Sequence, residues 1–232
     1  MGPYPHDAPP PEISKDNLAG TDGFEFVEFA HTEPQKLAEL FDKFGFTPVA
    51  KHKTKAITVY RQGGINYILN AEPNSFGMKF VDKHGPCAPS MAWRVVDADH
   101  AFRHAVSLGA ESYEGDDRTL SVPAIKGIGG SLIYFVDRYG KKGSAYTDEF
   151  DWLGEADPSP KGIGFYYLDH LTHNVMRGNM DTWYKFYSRT FNFREIRYFD
   201  IAGKLTGLTS RALTSPCGKI RIPINEDRKS VV

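Results

Sequence analysis

The sequence has only two cysteines, Cys87 and Cys217. Their spacing fits neither a zinc site nor a disulfide framework, so stapled secreted domains are excluded and a reducing cytoplasm is the expected compartment. Charge of one sign is lacking as well. Twenty-eight basic residues stand against 29 acidic ones, for a formal net charge of −1. The two kinds are interspersed, and no field favours nucleic acid or a membrane surface. No apolar run approaches the roughly 20 residues a spanning helix needs. The opening "MGPYPHDAPPPE" has no apolar signal core, and Met1-Gly2 lacks the downstream Ser or Thr of a lipidation site. Residues 1–20 read instead as a flexible, proline-rich tail. Disorder of the remainder is excluded by 41% hydrophobic and 13% aromatic residues, enough to build a core.

What is present is one pattern met three times. "GFEFVEFAHT" reads as a strand and "EPQKLAELFDKFG" as a helix, its apolar stripe Leu37, Leu40, Phe41 and Phe44, with Pro34 in the first turn and Gly45 at the end. "FTPVAKHKT", "AITVYRQGG" and "INYILNAE" follow as three strands. The second pass sets "SMAWRVVDAD" as strand and "DHAFRHAVSLGAE" as helix, with Asp99 as N-cap and Gly109 as stop. "SYEGD", "TLSVPAIKG" and "SLIYFVDR" are its strands. After a connection rich in turn residues, "YYLDHLTH" begins the third pass. "NMDTWYKFYSRTFNF" holds its helix, and "EIRYFDIAG", "LTGLTSRALTS" and "GKIRIPINE" are its strands. The expected fold class is α+β, built from βαβββ modules. Two form an N-terminal domain over residues 21–140, 141–164 connect, and 165–232 hold one module of an incomplete C-terminal domain. Such modules pair to bury their sheets, so the third is expected to expose apolar surface and unpaired edges.

Aligning "VEFAH" with "LDHLTH" pairs His31 with His173 and Glu28 with His170, and the helices then end on "FGF" and "FNF". The motif His170-x-x-His173 resembles metal motifs of helices, but its surroundings are aromatic and β-branched. On a strand, His170 shares a face with Tyr166, Leu168, Thr172 and Asn174, while His173 points the other way with Asp169 and Leu171. One metal does not take both. From spacing alone, a hydrogen-bonded core histidine is the ordinary reading of His170, and His173 is structural. His100 and His104 stand four apart on a helix without an acid or cysteine partner, so surface or core roles are expected. The aromatic run Trp183 to Phe193 fits helix packing rather than a base-stacking platform.

"LDHLTHNV", "FNFREIRYFDI", "TGLTSRAL" and "IRIPINE", in this order and spacing, closely resemble 4-hydroxyphenylpyruvate dioxygenases of the bacterial type, members of the vicinal-oxygen-chelate superfamily. The resemblance implies the glyoxalase-like fold, a metal-free N-terminal domain, and a facial triad of two histidines and one glutamate around Fe(II). It places the first iron-binding histidine at His170 and substrate contacts at Ser210, Pro223 and Asn225. It implies a 2-oxoacid substrate and O2, homogentisate and CO2 as products of tyrosine catabolism, and a homo-oligomer. The alternation of "KIRIPINE" agrees independently: Arg221, Pro223 and Asn225 share one face, and Ile220, Ile222 and Ile224 the other. The family's second histidine and its glutamate fall beyond Val232, so the 232-residue chain is expected to be inactive. Two alternatives stand beside this reading. Hydroxymandelate synthase shares substrate, metal and fold but tends to carry an apolar residue where Asn225 stands. A noncatalytic binding or assembly module would keep the scaffold without the ligands.

Overall fold

The computed structural model describes residues 10–202 and 207–227. Strand β1 (Thr21–Ala30), helix α1 (Pro34–Lys43) and strands β2 (Thr47–His52), β3 (Ile57–Gln62) and β4 (Ile65–Asn70) make the first module. Helix α2 (Phe76–His84) follows, then β5 (Cys87–Val95), α3 (Ala98–Ser107), β6 (Ala124–Lys126) and β7 (Leu132–Val136). Strand β8 (Phe150–Trp152) precedes the third module: β9 (His173–Val175), α4 (Met180–Phe191), β10 (Arg194–Ala202), β11 (Gly207–Thr214) and β12 (Arg221–Asp227). The first eight strands form one sheet in the order β6-β7-β5-β1-β4-β3-β2-β8, and the last four form another in the order β10-β11-β12-β9.

The repeat is visible in the pairing. In each module the first strand lies parallel to the last: β1 beside β4, β5 beside β7 and β9 beside β12. The antiparallel pair β1–β5 fuses the first two modules into one sheet. The helix ends repeat too. Gly45 has φ 77° and Asn192 has φ 57°, each a left-handed residue between two phenylalanines, the conformation that glycine and asparagine adopt most readily. Phe46 N–H then returns to the Phe41 carbonyl at 2.9 Å and Phe193 N–H to that of Tyr187 at 3.3 Å. Asn for Gly keeps the turn.

Several boundaries differ from those expected. "SYEGD" contributes one bridge, Ser112 to Ile125, and "TLSVPAIKG" shrinks to β6, because Pro123 and the preceding turn interrupt the ladder. Asp97, not Asp99, caps α3 by accepting the His100 N–H at 2.7 Å, and Asp99 sits within the first turn. Helix α2 was not anticipated. Its signals are Ser75, whose Oγ accepts the Met78 N–H, Lys83 and His84 in the last turn, and Gly85 beyond. The connection is not wholly loop, since β8 extends the first sheet beside β2. Residues 14–20, assigned by composition to the tail, are pinned: buried Asn17 accepts the Thr21 N–H and donates to the Thr21 carbonyl, and Ala19 is 1% exposed. Tail residues 1–9 and the final 228–232 lie outside the described residues.

Three apolar clusters hold the fold. Helix α1 covers Phe41, Phe46, Ile65 and Leu69 on one side of the first sheet. The opposite, inner face packs Phe26, Val59, Ile68, Tyr134 and Tyr146. The third cluster joins the two sheets, because Trp93 and Phe135 pack with α3, with Tyr187 and Phe191 of α4, and with Ile220, Ile222 and Ile224. Trp93 lies 4.9 Å from the Phe191 ring in an edge contact and 5.4 Å from Phe193 in a stacked one. This confirms the aromatic run as packing. His104 Nε2 reaches the Thr190 carbonyl at 3.1 Å and His100 Nε2 that of Leu18 at 2.9 Å. The i, i+4 histidine pair thus ties α3 to its neighbours.

Candidate metal and substrate site

The segment Tyr166–Thr172 was expected to be strand and is not one; only His173–Val175 joins the ladder. It bridges the two sheets instead. Gly64 N–H donates to the Tyr166 carbonyl at 3.0 Å on one side, and Leu171 N–H to the Arg221 carbonyl at 3.1 Å on the other. Leu168 turns into the core, which breaks the expected alternation before His170. Beyond that point the alternation holds. Leu171 and Val175 pack on the cluster under α4, while His170, Thr172 and Asn174 are exposed.

The two histidines part company accordingly. His173 stands beside Ile224 in the β9–β12 register, with Nδ1 3.1 Å from the Tyr187 hydroxyl. Burial pushes its pKa down to about 4, so it is held neutral against α4. The imidazole of His170 is about half exposed, with Nδ1 2.8 Å from Asp169 Oδ2. Asp169 in turn accepts from the Arg221 guanidinium. In this chain of contacts, a proton on His170 Nδ1 is held by the carboxylate, and the lone pair is left at Nε2. That is how outer-shell carboxylates orient metal-binding imidazoles. Among the described residues no group of three His, Cys, Asp or Glu converges to hold a metal. The described residues fit one corner of an iron site and do not hold the metal alone.

Strands β11 and β12 carry the remaining candidates. Ile220, Ile222 and Ile224 are fully buried, while Pro223 and Asn225 alternate to the face turned from α4. The register sets Asn225 directly between Ser210 of β11 and Asn174 of β9. Phe199 of β10 completes this row beside Ser210. Pro223 pairs with Ala212 in the next row. A concavity of about 480 Å3, lined by Asn174, Ile201, Leu208, Asn225 and Asp227 among others, opens at this end of the sheet. Phe199 and Ile201 remain 39% and 54% exposed. The row offers a hydroxyl and two amides beside an apolar patch, a lining suited to orienting a polar aromatic acid. Asn174 and Asp169 were not singled out as site residues in the sequence. Asp169 adjoins His170 in the motif, a signal that could have found it.

Glu28, which the repeat alignment pairs with His170, sits within the β1 ladder opposite Ile68 and Ser90, whereas His170 precedes β9. Glu28 is fully buried, accepts from Asn70 Nδ2 at 2.7 Å, and accepts the Ser90 hydroxyl. Burial raises its pKa. Helix α2 presses on it: a Cβ on Gly77 would stand 2.6 Å from Glu28 Oε1. Cys87 lies nearby, and burial, with Glu28 adding to it, pushes its thiol up to about 11, which leaves it an inert thiol. Both cysteines are free.

Repeated βαβββ modules, with one solvent-facing histidine on the last of them, define a protein of the vicinal-oxygen-chelate, or glyoxalase-like, class. The profile of the family "Hydroxyphenylpyruvate dioxygenase, HPPD, N-terminal" matches residues 15–151. The chain is 50% identical over 220 residues to 4-hydroxyphenylpyruvate dioxygenase of Pseudomonas aeruginosa, covering 93% of this chain and 61% of that protein. It is 55% identical over 225 residues to "Hemolysin VllY" of Vibrio vulnificus, covering 93% and 63%. A solved "xylose isomerase-like TIM barrel/4-hydroxyphenylpyruvate dioxygenase fusion protein" superposes with TM-score 0.76 at 33% identity, over 89% of this chain and 32% of that one. The chain belongs to the 4-hydroxyphenylpyruvate dioxygenase family. It spans about three fifths of the length of these two curated relatives. A variant of 4-hydroxymandelate synthase from Streptomyces coelicolor shares the fold, with TM-score 0.75 at 18% identity, over 90% of this chain and 63% of that one. No helix among the described residues is long and apolar enough to cross a membrane.

Proposed function

We propose that this chain forms the N-terminal domain and the first catalytic module of an Fe(II)-dependent dioxygenase. The reaction converts 4-hydroxyphenylpyruvate and O2 to homogentisate and CO2, a cytoplasmic step of tyrosine catabolism. In this reading residues 21–140 are metal-free, 141–164 connect, and 165–232 begin the catalytic domain. The observation that carries the reading is the Arg221–Asp169–His170 chain of contacts, which leaves His170 Nε2 available on a solvent-facing imidazole. The identity to dioxygenases supports it.

His170 is one protein ligand of the iron, and Asp169 fixes its tautomer and ring plane. The metal supplies the redox chemistry with O2, and the protein supplies orientation and exclusion of water. Asn225 and Ser210, paired in register, hydrogen-bond the polar groups of the substrate, and Pro223 bounds the same face. Phe199 and Ile201 offer the aromatic ring an apolar wall. In this reading the iron would take two further protein ligands besides His170. The family resemblance also supports self-association, which sedimentation measures directly.

The test compares this 232-residue polypeptide with one extended to the relatives' full length, both purified anaerobically and supplied with Fe(II). The extended protein should bind stoichiometric iron, consume O2 with the oxoacid and release homogentisate. The 232-residue chain should bind iron weakly and release none, since one imidazole does not satisfy facial-triad geometry. Stoichiometric iron with turnover in the short chain would refute the ligand count. Release of 4-hydroxymandelate by the extended protein would assign it to the synthase instead.

A further inference from the structure

A second polar cavity lies in the first sheet, three residues back along β1 from Glu28. Arg61, Arg94, Arg138, Glu25, Tyr139 and Asp157 line an open cleft of about 180 Å3. Glu25 is buried, and its Oε2 accepts from Arg94 Nε at 2.6 Å. The Arg94 guanidinium lies 5.4 Å over the Tyr139 ring, which fixes its plane. Its two Nη groups make no hydrogen bond among the described residues. Arg61 is held just as firmly: Nε donates to Asn66 Oδ1 at 2.6 Å, and the guanidinium stands 5.8 Å over both Tyr146 and Trp152. Its Nη1 donates to Asp157 Oδ1 at 2.6 Å and to the Pro158 carbonyl at 2.8 Å. Arg138 pairs outward with Asp148 at 2.8 Å, and both of those side chains are largely exposed. Gly140 and Gly143 also border the cleft, and nothing stands within 4 Å of where their side chains would be.

Two pre-oriented guanidinium forks, Arg61 buried and Arg94 partly buried, therefore meet one buried carboxylate and one replaceable carboxylate. Asp157 is the replaceable one. Its side chain is half exposed, and its backbone is left-handed at φ 49°, a conformation unfavourable to aspartate relative to glycine. We infer that this cleft binds a small organic carboxylate, which takes the place of Asp157 on Arg61 and reaches the free Nη groups of Arg94. A planar carboxylate matches guanidinium forks through paired N–H···O bonds. A phosphate dianion would meet stronger repulsion from the fixed Glu25. Occupancy would reach beyond the cleft. Asp157 belongs to the strap whose Pro160 and Tyr166 carbonyls accept from Gly63 and Gly64, and that strap leads directly to His170.

The experiment titrates the 232-residue chain with acetate and with succinate at constant ionic strength, followed by calorimetry and by the arginine Nε–H resonances. Saturable binding is expected, with shifts at Arg61 and Arg94. Asp157→Gly removes the internal competitor and relieves the backbone, and should tighten binding by about tenfold. Arg94→Lys keeps the charge but loses the fork, and should weaken binding by a similar factor. Because Asp157 is half exposed, its replacement leaves the core intact. Absence of saturable binding in both the parent chain and Asp157→Gly would overturn the inference. So would unchanged affinity in Asp157→Gly, or phosphate binding as tightly as the carboxylates.

Discussion

The repeat alignment pairs Glu28 of the first module with His170 of the third, and their surroundings differ as much as the residues. Glu28 lies under α2, with Asn70 and Ser90 satisfying its oxygens. His170 lies at the surface, with Asp169 satisfying only one ring nitrogen. The same scaffold thus makes a sealed position in one module and an available donor in the other. The sealing element is α2, which follows β4 and packs against β1 and β5. A carboxyl that is buried and fully hydrogen-bonded is structural; an oriented imidazole with a free nitrogen can bind.

The sharpest way to break this comparison is to exchange the available donor. In the extended protein, His170→Ala should lose iron and turnover together, measured by metal analysis and homogentisate release. Asp169→Asn should lower iron affinity by about 10–100-fold, because the imidazole loses its orienting carboxylate. Retention of full iron by His170→Ala would equate the two positions. Next in size is the core shared by the sheets. Trp93→Ala should cost about 3–5 kcal/mol in denaturant unfolding, from lost burial and the cavity left among Phe191, Phe193 and Tyr187. A loss confined to a few tenths would mean that the third module packs there only weakly.

Gly77→Ala probes the seal. The new methyl meets Glu28 Oε1, so a loss of about 1–3 kcal/mol is expected. The same substitution in a Glu28→Ala background should cost less, which a double-mutant cycle measures. Acid probes His173. The folded protein holds it neutral with a pKa of about 4, against an ordinary value of 6.5. Above pH 6.5 neither state takes a proton. As pH falls from there toward 4 the unfolded chain alone protonates, and stability is lost. His173→Gln should flatten that part of the stability profile; an unchanged slope would place its cause elsewhere. Smallest are Ser210→Ala and Asn225→Ala in the extended protein. Each should reduce kcat/KM by the equivalent of about 0.5–1.5 kcal/mol with iron content unchanged. Loss of iron in either would move that residue from the substrate to the metal.

The module order was legible because hydrophobic period switches from two to near four and back with each strand and helix. The isoleucines of β12 announced its buried face, and their full burial agrees. His170 was legible only through its motif context, since a lone histidine beside aromatic residues has many ordinary roles. What escaped was decided at a distance. The segment Tyr166–Thr172 has the residues of a strand, but its carbonyl and amide partners lie on two different sheets. Helix α2 carried cap and stop signals that the surrounding strand pattern obscured. The clamp of Asp169 by Arg221 joins residues 52 positions apart, and no local pattern encodes it.

The cluster around Trp93 has a consequence for how the molecule opens. The chain repeats in modules, yet one buried cluster draws its side chains from β5, β7, α4 and β12 together. The unit of cooperative unfolding therefore crosses the boundary drawn by the repeat. Backbone amides of β7 and β12 should exchange with solvent deuterium at one common, slowest rate, although some 90 residues separate them. Helix α1, packed on its own small cluster at the far side of the first sheet, should exchange earlier. Cleavage within residues 141–164 would then yield two pieces that stay together until the whole assembly melts.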